Sequence, residues 1–456
     1  MSRITLSIYD HVDNPHYGGG GALVVEHVAL RLAAEHDVTV FCGSYRGCKP
    51  GVSAGVRYRF LPVGWAGARG GQVLFQLLLP LVALVHRTDL WIESLTPPAS
   101  VSLVPLTARA PVLALVQMLC GADMQRRYRL PFKAIERRGL RLYRNFIVLN
   151  DIDAELVRAA NPGSRVETIP NGVDLPDMPD TPGDETADAQ GPILYLGRID
   201  VRQKGLDLLL AAVVDEPSVR LDIAGSGTPA EMSKLRALIP AAAASRIRLL
   251  GRVDGERKER LLRDCLFAVV PSRYETFCLT ALEAMSYARP VVHFDLERLS
   301  WIGDASGIAV PAFDVAALRA AILDLLVDAP RRADLGRGAR ERSLGYAWPD
   351  VTLRYRALVA DLLGTPQRPL FQRPLFQRRS RLRSAERRSR VVSGRRDTTS
   401  DRARSAPETA PRSTGPVLPG NTSMRTCSRV PVAKSDLYDS LSPNKSSSPN
   451  SGSAKA

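Results

Sequence analysis

Leu266-Phe-Ala-Val-Val-Pro-Ser-Arg-Tyr-Glu-Thr-Phe-Cys-Leu-Thr-Ala-Leu-Glu-Ala-Met285 changes character partway along. An apolar run of strand length, Leu266 to Val270, stops at Pro271 and gives way to a polar loop and then a helix-forming segment. Strand, loop and helix in that order belong to open α/β sheets, which bind ligands at the carboxyl ends of their strands. Glu275 falls in the loop and Glu283, eight positions on, a turn or so into the helix, so both carboxylates can face a ligand across the strand end. Thr280-Ala-Leu-Glu283 also has the pattern of a capping box, in which the two side chains satisfy each other's backbone donors and need no ligand.

The same unit recurs upstream. Ile193-Leu-Tyr-Leu-Gly-Arg-Ile-Asp-Val-Arg-Gln-Lys-Gly-Leu-Asp-Leu-Leu-Leu210 reads as a short apolar strand, a polar loop holding Arg198 and Lys204, and a helix with an apolar stripe. Val219 to Ala230 is another such unit, and Arg246 to Gly251 precedes a charged helix from Asp254 to Asp264. Alternating strands and helices predict a parallel sheet. Gly225-Ser-Gly227 permits close backbone approach to a ligand and equally suits a tight turn.

The first half has the same rhythm. Strand Ile4 to Tyr9 is followed by a loop ending in Gly18-Gly-Gly-Gly21 and by the apolar-striped helix Ala22 to Glu35. Further strands are expected at Asp37 to Phe41, Val56 to Val63, Leu90 to Glu93, Val112 to Val116 and Phe146 to Leu149. Glycine loses the most conformational entropy on ordering, so four together before a helix argue for a ligand or a mobile lid. Gly18-Gly-Gly-Gly-Ala-Leu23 lacks the third glycine of a dinucleotide fingerprint, which disfavours a dehydrogenase. Pro170-Asn-Gly172 is a turn signal, and Tyr346-Ala-Trp-Pro-Asp350 leads into an amphipathic helix from Val351 to Leu363.

Across roughly residues 1 to 365, these motifs resemble the retaining nucleotide-sugar glycosyltransferases of the GT-B fold, the family 4-like, group 1 type. The resemblance implies an α/β architecture of two Rossmann-like, doubly wound domains facing a central cleft. Residues 1–175 would form the acceptor-side domain, 176–190 a linker, 191–347 the nucleotide-sugar domain and 348–365 a helix crossing back to the first domain. It implies that Glu275 contacts the donor sugar hydroxyls, that Glu283 holds the ribose, and that Arg198 and Lys204 neutralise the diphosphate as it is bound and as it leaves. Backbone N–H groups of Thr276, Phe277, Cys278, Leu279 and Thr280 would face the diphosphate, as a helix N-terminus favours an anion. Gly19 and Gly20 would lie in the cleft near the donor phosphates, Gly225 and Gly227 beside the nucleotide, and His16 and Gln117 on the acceptor side.

Three positions depart from the pattern. Gln117 stands where many members have histidine, Asp295-Leu-Glu-Arg298 where many have a Gly-Gly turn, and Cys278 where a glycine is frequent. They keep two alternatives open: another GT-B enzyme, such as a nucleotide-sugar epimerase, and a degenerate scaffold that binds glycans or partners.

The expected substrates are a nucleotide diphosphate sugar and a hydroxyl acceptor, with no cofactor and no metal. Asp151-Ile-Asp153 is expected to cap the next helix, and the six histidines show no ligand spacing. The six cysteines form no C-x-x-C pair and no signal-peptide pattern is read at the start, so the expected compartment is a reducing cytoplasm.

Charge divides the chain near residue 366. Residues 366–456 hold 19 Lys plus Arg against 6 Asp plus Glu, leaving 43 against 41 in the body, so the basicity belongs to the tail. This segment, with its tandem Arg368-Pro-Leu-Phe-Gln372 and Arg373-Pro-Leu-Phe-Gln377, reads as a disordered solvated extension, with no specific nucleic-acid partner expected. Val73 to Val85 is too short to span a bilayer and reads as a buried or interfacial helix. Arg126 to Arg144, basic with interspersed apolar residues, suits peripheral contact with an anionic membrane.

Overall fold

Strands that alternate with helices run parallel, and the described residues of a computed structural model, 1–14, 20–95, 100–177 and 191–364, build two such sheets. The first half contains β1 (Arg3–Ser7), α1 (Gly20–Leu32), β2 (Asp37–Gly43), β3 (Gly51–Ser53), β4 (Val56–Leu61), α2 (Gly67–Val85), β5 (Leu90–Leu95), α3 (Val104–Thr107), β6 (Val112–Val116), α4 (Gly121–Tyr128), α5 (Phe132–Gly139), β7 (Asn145–Val148), α6 (Asp151–Ala160) and β8 (Arg165–Thr168). The second contains β9 (Ile193–Leu196), α7 (Leu206–Val213), β10 (Leu221–Ala224), α8 (Pro229–Ala237), β11 (Ile247–Gly251), α9 (Gly255–Asp264), β12 (Ala268–Val270), α10 (Leu279–Ser286), β13 (Val291–Phe294) and β14 (Gly307–Val310). Helices α11 (Val315–Val327), α12 (Ala329–Leu344) and α13 (Trp348–Gly364) follow.

The first sheet has the order β3-β4-β2-β1-β5-β6-β7-β8, parallel apart from the short edge strand β3. The second has the order β11-β10-β9-β12-β13-β14. In each, the direction of winding reverses once, between β1 and β5 and between β9 and β12. Loops leaving adjacent strands at such a point diverge and open a crevice. The edge strands β3, β8 and β14 are not read from the sequence; all three are short and lie at sheet ends.

Helix α1 begins at Gly20, two residues before the expected start, so part of the glycine run is helical. His16 and Gly19 lie outside the described residues, as do the linker from 178 and the tail from 365 onward.

Helix α13 returns to the first half and buries Trp348, Val351, Tyr355, Leu358, Val359 and Leu362 in the core that α1 and the first sheet share. Each such side chain contributes about 1.5–3 kcal/mol relative to exposure. The Pro170-Asn-Gly172 turn makes this possible, because a Cβ on Gly172 would lie 2.5 Å from the Trp348 indole. His27 stacks on that indole at 4.6 Å, and Arg31 covers it at 5.3 Å.

On the other face of the first sheet Glu93 is buried on β5, accepting a hydrogen bond from the Tyr143 hydroxyl at 2.9 Å. Burial raises its carboxyl from the ordinary 4.5 to about 7, against the lowering effect of Ser102 and Tyr143. Between those values the folded chain keeps a proton that the unfolded chain has lost. The stability that the neutral acid provides is therefore complete below pH 4.5 and lost as pH rises through 7. Glu93→Gln, a permanent neutral mimic, should remove this dependence. Urea unfolding at pH 5 and pH 8 should show the native chain losing about 3 kcal/mol relative to the variant. Parallel pH profiles would refute a buried, titrating Glu93.

Candidate active site

The loops after β9 and β12 leave the second sheet side by side at its switch point. Gly205 lets them meet: its φ is 64°, and a Cβ there would lie 1.8 Å from the Pro271 carbonyl oxygen. The Arg273 amide donates to the Gln203 carbonyl at 3.0 Å, and its guanidinium forks onto Asp207 at 2.7 and 2.8 Å. Laced in this way, the loops bring together two charges 71 residues apart. Lys204 Nζ lies 2.6 Å from Glu275 Oε1, which also accepts from Ser272 Oγ at 2.7 Å. Glu275 is nine-tenths buried, and its Oε2 makes no hydrogen bond among the described residues.

Arg198 shares the loop with Lys204 but not its contact. It is half exposed, donates to Gln203 Oε1 at 2.9 Å and stands 3.7 Å from Asp200. Its carbonyl accepts from the buried Tyr195 hydroxyl at 2.8 Å, which fixes the loop from below. Gly225 and Gly227 have a packing reason in the same place. Side chains there would strike the carbonyl oxygens of Gly197 and Ile199, at 1.8 and 2.4 Å.

Helix α10 starts without the capping box that the Thr280–Glu283 spacing also allowed. Cys278 is its N-cap, in the left-handed region at φ 71°, and Thr280 lies inside the first turn. Glu283 instead accepts from Lys258 Nζ of α9 at 3.2 Å. Burial, reinforced by the negative charge of Glu275, pushes the Cys278 thiol up to about 12, so this cysteine stays protonated and unreactive. The amides of Phe277, Cys278, Leu279 and Thr280 donate to no acceptor among the described residues. The Phe277 ring stacks on Trp301 at 4.7 Å, while the Thr276 carbonyl accepts from Asn150 at 3.0 Å.

Across the crevice stands the start of α1. A Cβ on Gly20 would lie 2.6 Å from Leu279 Cδ1, so the first turns of α1 and α10 touch. Neither helix has an acidic residue in its first turn. Gln117, at the end of β6, comes to the same place: its Cγ lies 3.6 Å from the Cβ position of Gly21, and its Nε2 is buried without a hydrogen-bond partner among the described residues. The first turns of α1 and α10 thus meet next to the loop whose Glu275 holds Lys204, and Arg198 stands half exposed on the Lys204 loop, a set of groups suited to a polyanion.

The same loop ties the two halves together. Arg298 pairs with the fully buried Asp153 at 2.8 Å and covers the Tyr274 ring at 5.5 Å, while the Tyr274 hydroxyl donates to the Leu119 carbonyl at 3.2 Å. Arg298 belongs to the stretch that stands in for a glycine turn, and its partner was not legible. Asp151 and Asp153 do not cap α6: Asn150 does, accepting from the Asp153 amide at 2.8 Å, which frees the Asp153 carboxylate for Arg298. Lys258, Ser272 and Arg273 were also missed, because a partner tens of residues away leaves no trace in local spacing. Among the described residues, no three His, Cys, Asp or Glu side chains converge as metal ligands.

Residues 18–176 match the family described as Glycosyltransferase Family 4, and residues 191–328 the family described as Glycosyl transferases group 1. The phosphatidyl-myo-inositol mannosyltransferase of Mycolicibacterium smegmatis is 33% identical over 199 residues, 42% of this chain and 50% of that protein. The D-inositol 3-phosphate glycosyltransferase of Xylanimonas cellulosilytica is 32% identical over 205 residues, 41% of this chain and 49% of that protein. The chain spans about half the length of these relatives. In fold it is similar to the sucrose-phosphate synthase of Thermosynechococcus elongatus, with a TM-score of 0.67 at 23% identity over 79% of this chain and 99% of that one.

Truncating Arg298 would leave Asp153 buried without its cation. Arg298→Ala should destabilise the chain toward the low end of the about 3–5 kcal/mol typical of broken buried pairs, since Arg298 keeps some exposure. A double-mutant cycle with Asp153→Ala, read by urea unfolding, should give a coupling of about 0.5–3 kcal/mol. Strict additivity would mean that the pair does not hold the halves together.

Proposed function

Because its first half matches Glycosyltransferase Family 4 and its second half Glycosyl transferases group 1, we propose that the chain moves a sugar from a nucleotide diphosphate sugar to a hydroxyl acceptor, with retention at the anomeric carbon. The observation that carries this reading is the Lys204–Glu275 pair at the β9/β12 switch point, set beside the open amides of α10. Lys204 has further N–H donors to offer a diphosphate, and Arg198 can swing from Gln203 to supply a second cation. The amides from Phe277 to Thr280 and the first turn of α1 add fixed dipoles of the same sign.

In this reading Glu275 Oε2 accepts from donor sugar hydroxyls, and Glu283 exchanges Lys258 for the ribose. The diphosphate leaves into a positive site, and its departing oxygen assists deprotonation of the acceptor, which attacks from the same face. That route needs neither a nucleophile triad nor a metal. Gln117, whose amide nitrogen beside α1 has no hydrogen-bond partner among the described residues, is the described residue best placed on the acceptor side; His16 joins it there as a proposal, and Gly19 joins the donor phosphates. Both relatives are named for inositol compounds, which supports a hydroxyl acceptor. The reading places the protein in the cytoplasm, in peripheral contact with an anionic membrane through the basic region around α5. No helix among the described residues is long and apolar enough to cross a membrane.

Calorimetry with a panel of UDP-, GDP- and ADP-sugars tests the assignment. The donor that binds the native chain should bind Lys204→Ala more weakly by about 2–5 kcal/mol, the cost of truncating a desolvated charge contact. That is roughly 30-fold to several thousand-fold in Kd. An unchanged Kd would make Lys204 a structural partner of Glu275 only, and silence with every donor would sink the reading.

A further inference from the structure

Helix α2 carries an apolar surface that the fold leaves uncovered. Its inner side packs Phe75, Leu79 and Ala83 into the core behind the first sheet. Its outer side presents Val73, Leu77, Leu81 and Leu84, at helical spacings of four, four and three, with Leu77 64% and Leu81 59% exposed. Trp65, in the single turn just before the helix, is 81% exposed, and α2 contains no acidic residue. Folded chains rarely leave such a stripe in water without a partner.

The surface beside it is cationic. Between residues 124 and 144 the only carboxylate is Glu136, and it turns inward to accept from the Cys120 and Gly121 amides at 2.9 and 2.8 Å. Arg129, Lys133, Arg137, Arg138, Arg141 and Arg144 are left exposed, with Leu130 and Ile135 exposed among them. The two surfaces are joined through α3: α2 packs on α3, and Val101, just ahead of it, seats against Gly139 of α5.

Apolar stripe and cations together complement hydrocarbon edged by anionic headgroups. A nucleic acid would engage the cations and leave the stripe wet, whereas a second copy covering the stripe would bring one cationic surface near another. We propose that α2 lies in the interface of an anionic bilayer, with Leu77, Leu81 and Trp65 among the acyl chains and the α5 cations on the headgroups. This rests on the peripheral membrane contact of the proposed function and gives it an insertion element.

Trp65 supplies a reporter, since Trp91 and Trp348 are fully buried and Trp301 is half-buried. Phosphatidylglycerol vesicles with brominated acyl chains should quench the full chain, and Trp65→Phe should lose that quenching. The double variant Leu77→Ser/Leu81→Ser, altered only at exposed positions, should keep its thermal melt and need at least about tenfold more lipid for the same quenching. Phosphatidylcholine vesicles should quench weakly. Cosedimentation without quenching would overturn insertion and leave an electrostatic contact standing, and no cosedimentation would overturn both. A concentration-dependent dimer abolished by Leu77→Ser/Leu81→Ser would make the stripe a self-interface and overturn the proposal.

Discussion

The contact on which the rest of the site depends is the 2.6 Å pair between Lys204 and Glu275. Two charges in a mostly buried setting are stable only with close geometry and satisfied neighbours. The fold meets that demand with backbone: Gly205 has no Cβ to hold the loops apart, Arg273 locks onto Asp207, and Ser272 shares the same carboxylate oxygen. Strand order does the remainder. β9 and β12 are adjacent although α7 to α9 separate them in the chain, so a lysine and a glutamate from distant units emerge at one crevice.

The crevice is electrostatically incomplete by itself. The first turns of α1 and α10 meet at Gly20 and Leu279, and neither has a carboxylate of its own in that turn to offset the dipole. Like ends brought together repel, by tenths of a kcal/mol to about one each at exposed termini. Lys204 and Arg198 add to the same sign. Glu275 offsets part of this through Oε1, which Lys204 and Ser272 share, so the excess of positive ends suits the diphosphate of the proposed donor.

The parts of this legible in the sequence are those with local causes. Period changes located most strands and helices, and the glutamate, arginine and lysine positions followed from strand-loop-helix units that each span a few dozen residues. Local pattern left two readings open at α10, and the capping box fails there because the chain enters the helix through a left-handed Cys278. It misled at α6, where two aspartates looked like caps and Asn150 proved to be the cap. Partnerships such as Arg298 with Asp153 or Lys258 with Glu283 depend on which helices face each other. The exposed side of α2 was ambiguous for the same reason, because an apolar helix does not say how much of its surface the fold will cover.

The loop after β12 links binding to the joining of the two halves. Within three residues on either side of Glu275, Tyr274 bonds to the Leu119 carbonyl, Thr276 accepts from Asn150, and Phe277 packs among Leu149 and Val173 of the first half. In the proposed reading, a donor sugar bound at Glu275 would act on a segment whose neighbouring side chains are seated in the opposite half, and separating the halves would disturb that carboxylate. Affinity for donor and tendency to close are then two readings of one coupling free energy. Arg298 adds to this seating, because its pair with the buried Asp153 spans the two halves and favours the same arrangement as the contacts of the loop.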